Sequence, residues 1–329
     1  MRADKIKNKP VDWLWKERIP RGMITVIAGR PGSSKSLLAC RIAADISRAG
    51  GNVLLSCAED TQSEMIGPRL DAARAVKRRI EVDMEPVLPE DIEALTKFVK
   101  RYKVKLVILD PINVHLSTGV SRYNDSVRKA TNPLKRLGVE TGCSFILFDH
   151  VLKNVAKSAH PLSAIGGASS GLSSAARMAY IVGRDPHDRD RVILGCAKPN
   201  LREMPAELEF IIDEREVPEV DTMATLIDGE ECEFDIMELL AKPGKQRGRP
   251  PSKREAAIEW LVEYLKNAPK YEWRAAEVIE DAKQFRITKR TLDGAKADAG
   301  IMSEKRGKEW WWRLPKDLIA TIEGEDEDS

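Results

Sequence analysis

Gly29-Arg30-Pro31-Gly32-Ser33-Ser34-Lys35-Ser36 follows the apolar run Met23-Ile24-Thr25-Val26-Ile27-Ala28 and leads into Leu37-Leu38-Ala39-Cys40-Arg41-Ile42-Ala43. A buried strand, a tight glycine turn and a helix in that order make a phosphate-binding loop. The turn aims backbone N–H groups at the phosphates, beside the positive end of the helix dipole. Residues Gly29, Arg30, Pro31, Gly32, Ser33, Ser34, Lys35, Ser36 and Leu37 are therefore expected to hold ATP. Lys35 reaches the β- and γ-phosphates, and the Ser36 hydroxyl takes Mg²⁺. Ser34 stands where the pattern has its second fixed glycine. A positive φ there would weaken nucleotide binding, whereas a place in the first helical turn would be harmless.

Short apolar runs alternate with helical stretches downstream. Residues 52–57 read as a second strand that ends at Ala58-Glu59-Asp60, and residues 104–110 (Val-Lys-Leu-Val-Ile-Leu-Asp) as a third. Asp110 at a strand's C-terminal edge has the Walker B arrangement, which orients Mg²⁺. Glu59 is expected to act as general base on the attacking water, with Asp60 as an N-cap of the next helix. A fourth strand, residues 144–149, ends at Asp149-His150. His150 either hydrogen-bonds the γ-phosphate or merely closes a strand. The loop 151–168 carries Lys153 and Lys157 and either grips a nucleic-acid backbone or is plain surface. Strands at 179–183, 191–197 and 208–212 complete the series, and residues 213–233 read as an acidic loop. Continuous apolar strands separated by helices predict an α/β fold with a mostly parallel sheet covered by helices on both faces.

The ordered set of the loop, Ala58-Glu59-Asp60, Leu109-Asp110-Pro111, Asp149-His150, the segment from Gly166 to Arg177 and Cys196-Ala197-Lys198-Pro199-Asn200 resembles the RecA-like ATPases of the RepA/DnaB replicative-helicase group, in its RepA-like phage and plasmid branch. The resemblance spans roughly residues 10–215. It implies a ring, usually a hexamer, with ATP between subunits and single-stranded DNA through the centre. It implies that Glu59 and Lys35 are catalytic and that Arg177, Lys198 or both reach the neighbouring subunit's γ-phosphate. Asn200 stands where the DnaB pattern often has a second arginine, which leaves Arg202 as a further candidate. A recombination or repair ATPase, and a regulator that merely switches with ATP, are the competing readings.

Beyond the first domain (1–233) the composition changes. Residues 234–254 read as a basic linker rich in Pro and Gly, where Arg247-Gly248-Arg249-Pro250 resembles an AT-hook core. Residues 244–316 carry 18 Lys and Arg against 11 Asp and Glu, whereas residues 317–329 carry six acidic groups and no basic ones. Helices at 255–267, 275–285 and 289–299, followed by two short strands around a Gly turn, predict a winged helix-turn-helix over 255–316 that binds duplex DNA, with a protein-binding winged helix as the other reading. Lys289, Arg290 and Lys296 would lie on the recognition helix, with Lys305 and Arg306 at the wing. Its tryptophans read as core and wing packing. The five cysteines are scattered and predict reduced core residues of a cytoplasmic protein with no membrane segment.

Overall fold

The computed structural model describes residues 2–5, 8–118, 120, 124–152, 160–165, 169–240, 253–285, 287–307, 309–315 and 318–319. Two compact units divide the chain, residues 1–245 and 246–329.

The first unit opens with a small hairpin, β1 (Trp13–Trp15) and β2 (Ile19–Pro20). It is then built on one sheet. Its strands are β3 (Ile24–Gly29), β4 (Asn52–Cys57), β5 (Ile80–Glu81), β6 (Val104–Asp110), β7 (Ser144–His150), β8 (Met178–Arg184), β9 (Arg191–Pro199), β10 (Glu207–Glu216) and β11 (Thr222–Cys232). Their order across the nine-stranded sheet is β5-β4-β6-β7-β3-β8-β9-β10-β11. Every pairing from β5 through β8 is parallel, and β9, β10 and β11 extend the edge antiparallel. The parallel strands read as continuous apolar runs because both of their faces are covered.

Alternate strand residues feed two cores. On one face Ile27, Ile108, Ile146 and Phe148 pack with Leu38, Ala39 and Ile42 of α1 (Lys35–Arg48) and Leu70 of α2 (Gly67–Ala72). On the other, Val26, Leu109 and Leu147 meet Leu95 of α3 (Ile92–Tyr102), Leu134 of α4 (Asn124–Thr141) and Leu172 of α5 (Ser169–Ala175).

Two expectations need correction. Residues 213–233 are no loop: β10 and β11 form a long antiparallel hairpin, whose alternating polar residues disguise strands with one solvated face. Nor does the linker begin at 234. Ile236, Leu239 and Leu240 of α6 (Ile236–Leu240) are buried in the first unit's core, against β8 and β9.

The second unit has α7 (Lys253–Lys266), β12 (Glu272–Arg274), α8 (Ala275–Gln284), α9 (Lys289–Asp298), β13 (Met302–Arg306) and β14 (Glu309–Arg313). Its strands pair antiparallel in the order β12-β14-β13, and Thr288 caps α9 by accepting from the Thr291 N–H at 3.2 Å. Leu261, Leu265, Val278, Leu292, Ile301 and Trp312 form its own core. Among the described residues no helix is long and apolar enough to cross a membrane. Cys40, Cys57, Cys143 and Cys196 are buried thiols whose pKa burial raises.

Candidate phosphate site

Strand β3 delivers Gly29 to the C-terminal edge of the sheet, and the loop turns there into α1. A Cβ on Gly29 would stand 2.3 Å from Ser33 Oγ and 2.5 Å from the Val182 carbonyl, so no larger residue fits without a shift. Gly32 has a φ of +74°, which glycine adopts freely.

Ser34 is the residue just before α1, at φ 68° and ψ 24°. This settles the choice left open by the sequence: the position lies in the left-handed region, where a non-glycine residue is strained by about 1–2 kcal/mol. Arg184 at the end of β8 donates from Nε to Ser34 Oγ at 3.3 Å. Ser34→Gly releases the strain but adds unfolded-state entropy, a partial cancellation. Nucleotide affinity is expected to hold or rise in Ser34→Gly and to fall about tenfold in Ser34→Val, whose β-branch is least tolerant of positive φ. Titration with a fluorescent ATP analogue measures both.

Lys35 is almost fully buried, and its ammonium donates to the Gly29 and Arg30 carbonyls at 3.2 and 3.0 Å. Burial lowers its pKa, opposed by the nearby carboxylates of Asp110, Glu59 and Asp149. Ser36 Oγ donates to Asp110 Oδ2 at 2.9 Å. These hydroxyl and carboxylate oxygens are hard ligands of the kind Mg²⁺ takes beside phosphate oxygens. Burial pushes the Asp110 carboxyl up to about 6, against the pull of Ser36 and Lys35. Its folded pKa is thus above its unfolded value near 3.8. Its favourable contribution to stability is full below that unfolded value and is lost as pH rises through about 6. Metal binding at Asp110 would run the other way, because a carboxylate must be ionised to take a cation. Turnover is expected to fall on acidification through about pH 6, read as an acid limb in kcat/KM.

Topology sets the neighbours. Strand β7 lies between β3 and β6, so its end enters the site between Gly29 and Asp110. Asp149 is buried there, and its Oδ1 accepts from the His150 N–H at 2.8 Å. Burial, then the Lys35 charge, lowers the His150 pKa and favours the neutral imidazole. His150 Nδ1 is buried with no hydrogen-bond partner among the described residues. Glu59, after β4, is exposed, and its charge reaches Lys35, Asp110 and His150. Asp60 is not an N-cap: it pairs with Arg69 of α2 at 2.5 Å. Asp149 and Arg184 were missed as site residues. A second buried strand ending in aspartate was a usable signal for the first, whereas nothing local marks Arg184.

The expected trans-acting residues lie at the opposite edge of the same sheet. The Arg177 N–H donates to the carbonyl of Ile24, where β3 begins, and its side chain is exposed. Lys198 is engaged within its own chain, donating to the Ser173 and Ala176 carbonyls at 2.6 and 3.1 Å, where it caps the C-terminal end of α5. Arg202 is paired with Glu17. Burial and the charge of Arg177 lower the pKa of both Lys198 and Lys135, so three cations crowd this edge. Lys135 was not foreseen, since only the packing of α4 brings it there.

Lys153, Lys157, Arg247, Arg249 and the side chain of Arg290 lie outside the described residues. Lys289, Lys296 and Lys305 belong to the second unit, where Lys296 stands 5.1 Å from the Trp312 ring centre. Arg306 is not a free wing-tip cation. It makes a two-pronged bond to Glu272 at 2.7 and 2.9 Å and a further one to Glu304, within the sheet. Trp312 is buried, but Trp310 is 52% exposed, so the expectation of packing fails for Trp310.

Residues 1–156 match the family model described as an AAA domain. The chain is 25% identical over 138 residues to the DNA repair protein RadA of Chlamydia trachomatis serovar D, covering 41% of this chain and 29% of that protein. It thus spans less than a third of that relative. Among solved structures, a DnaB-like replicative helicase, determined with its interactions with primase, aligns with a TM-score of 0.50 and 16% identity over 64% of this chain and 63% of that one. A separately solved ATPase domain aligns with a TM-score of 0.47 and 17% identity over 60% and 82% of the two chains.

Proposed function

We propose, from the premise that this chain carries a P-loop ATPase domain of RecA-like fold, that it is a Mg²⁺-dependent, DNA-translocating, helicase-like motor acting in DNA replication. Lys35 and the loop amides bind the triphosphate, Ser36 and Asp110 hold Mg²⁺, and Glu59 orients and deprotonates the attacking water. Mg²⁺ held by Ser36 and Asp110 would supply charge neutralisation to the triphosphate. Neutral His150, beside the loop, donates a ring N–H to the terminal phosphate.

One observation supports assembly above all others. Arg177 is anchored at the start of β3 and the phosphate loop lies at its end, five residue steps or about 17 Å away. An arginine side chain does not cover that distance, so within one protomer Arg177 serves no nucleotide. In a ring of repeated head-to-tail contacts, one edge of each subunit faces the opposite edge of the next. Arg177, with Lys135 and Lys198 beside it, then meets the neighbour's phosphates, and a homohexamer is the assembly proposed. Single-stranded DNA through that ring, gripped by the loop 151–168, is the polymer moved.

The second unit has the helix order and terminal hairpin of a winged helix, and we assign it duplex binding through Lys289, Arg290 and Lys296 on α9 and Lys305 at the hairpin. The discriminating experiment is turnover with and without single-stranded DNA for the wild type and Glu59→Gln. DNA-stimulated hydrolysis, lost in Glu59→Gln while nucleotide and DNA binding persist, fits the motor. Unstimulated hydrolysis with intact DNA binding would point to an ATP-switched regulator.

A further inference from the structure

An aromatic groove of about 700 Å³ lies along the outer face of α7 in the second unit. Glu259, Trp260, Glu263, Tyr264 and Asn267 follow one another at helical spacing on that face, while Leu261 and Leu265 of the same helix are buried in the core. Trp273 of β12 closes one end, and its ring stands edge-on to Tyr264 with centres 6.5 Å apart. Trp260 lies between Tyr264 at 5.0 Å and Phe285 at 5.5 Å, the latter 61% exposed.

The groove is held ready. Tyr264 donates its hydroxyl to Asp281 Oδ2 at 2.5 Å, which fixes that ring. Asn267 Nδ2 donates to Glu263 Oε1 at 3.1 Å, which fixes one carboxylate at the rim. Among the described residues no basic side chain pairs with Glu259 or Glu263. Each of the three terminal tryptophans already has a cation near its ring: Lys305 at Trp310, Arg274 and Arg306 at Trp311, Lys296 at Trp312. No described cation stands over Trp260, Tyr264 or Trp273.

Ring faces carry the negative end of a quadrupole, and the two carboxylates add full negative charge. The groove therefore selects a cation and repels phosphate. Its tilted rings form ridges of the kind on which proline rings seat. We infer that this face of α7 docks a partner-protein segment in which an arginine or lysine is flanked by prolines, its cation over Trp260 and Tyr264 and between Glu259 and Glu263. The surface is separate from α9, so the unit has one face for nucleic acid and another for a protein that recruits or positions it.

The test uses the full chain and a fluorescein-labelled Pro-Pro-Arg-Pro-Pro-Arg peptide, with the Pro-Pro-Glu-Pro-Pro-Glu peptide as control, followed by anisotropy. The arginine peptide is expected to bind and the glutamate peptide not to. The double variant Glu259→Lys with Glu263→Lys alters exposed side chains only and should lose at least about tenfold in affinity, with an unchanged melting temperature. Trp260→Ala should lose a comparable factor. Absence of binding, equal binding of the two peptides, or unchanged affinity in the double variant would overturn the assignment. So would a Trp260→Ala protein that keeps the peptide but loses affinity for oligothymidylate, since the groove would then be a base-stacking platform.

Discussion

Lys35→Ala is expected to abolish ATP turnover, by about 10³-fold or more, while leaving duplex binding close to wild type. The size follows from what the ammonium faces. A preorganised donor at a developing negative charge is commonly worth 10²- to 10³-fold, and Lys35 carries a full charge in a buried site. Its own partners within the loop are the Gly29 and Arg30 carbonyls, so it is already positioned at the turn proposed to cradle the phosphates. Removing it also takes away a positive charge that acts on Asp110, which raises the cost of ionising that carboxyl further. Mg²⁺ binding should therefore weaken together with the phosphate grip. Steady-state hydrolysis, analogue titration and a duplex-binding isotherm measure the three effects. Loss of duplex binding in step with hydrolysis would show that the two units do not act separately.

Arg177→Ala is expected to cut turnover by about 10³-fold with little change in nucleotide affinity, the signature of a charge that acts in the transition state. The decisive measurement is a mixture. An Arg177→Ala subunit keeps its phosphate loop, and a Lys35→Ala subunit keeps its arginine. Co-assembly of these two inactive proteins creates complete sites wherever the second type presents Arg177 to the first. At equal proportions roughly a quarter of the interfaces are complete, so activity reappears on mixing. A mixture as inactive as its components would refute the trans assignment, and an Arg177→Ala protein with normal turnover would remove the residue from the chemistry. Lys198→Ala is a contrasting case: its ammonium caps α5, so its loss should lower stability as well as rate.

Much of the phosphate site is local in the chain. The strand, the glycine turn and the helix that form it are consecutive, and Lys35, Ser36 and the loop amides occupy fixed offsets within them. Asp110 and Glu59 were legible for a related reason: each ends an apolar run, and parallel strands deliver such ends to one edge of the sheet. Residues without such a marker were not legible. Arg184 meets Ser34 through a pairing of β3 with β8, whose partners are separated by about 150 positions in the chain. The hairpin β10–β11 was hidden because a half-solvated strand shares its polar, acidic composition with a loop. Arg306 looked like a wing-tip cation until the register of the sheet placed Glu272 and Glu304 within reach.

Read alone, the chain showed a phosphate-loop pattern, named the side chains expected to grip a triphosphate and marked a separate basic module, because each of these is written in consecutive residues. Tertiary structure decided the rest. The insertion of β7 between β3 and β6 put Asp149 and His150 at the heart of the site. The backbone at Ser34 took the left-handed conformation that its side chain disfavours. The extended length of β3 separated Arg177 from the loop of its own protomer. Strand order, dihedral angle and distance across a sheet arise from packing between segments far apart in the chain, and no short stretch of residues encodes them.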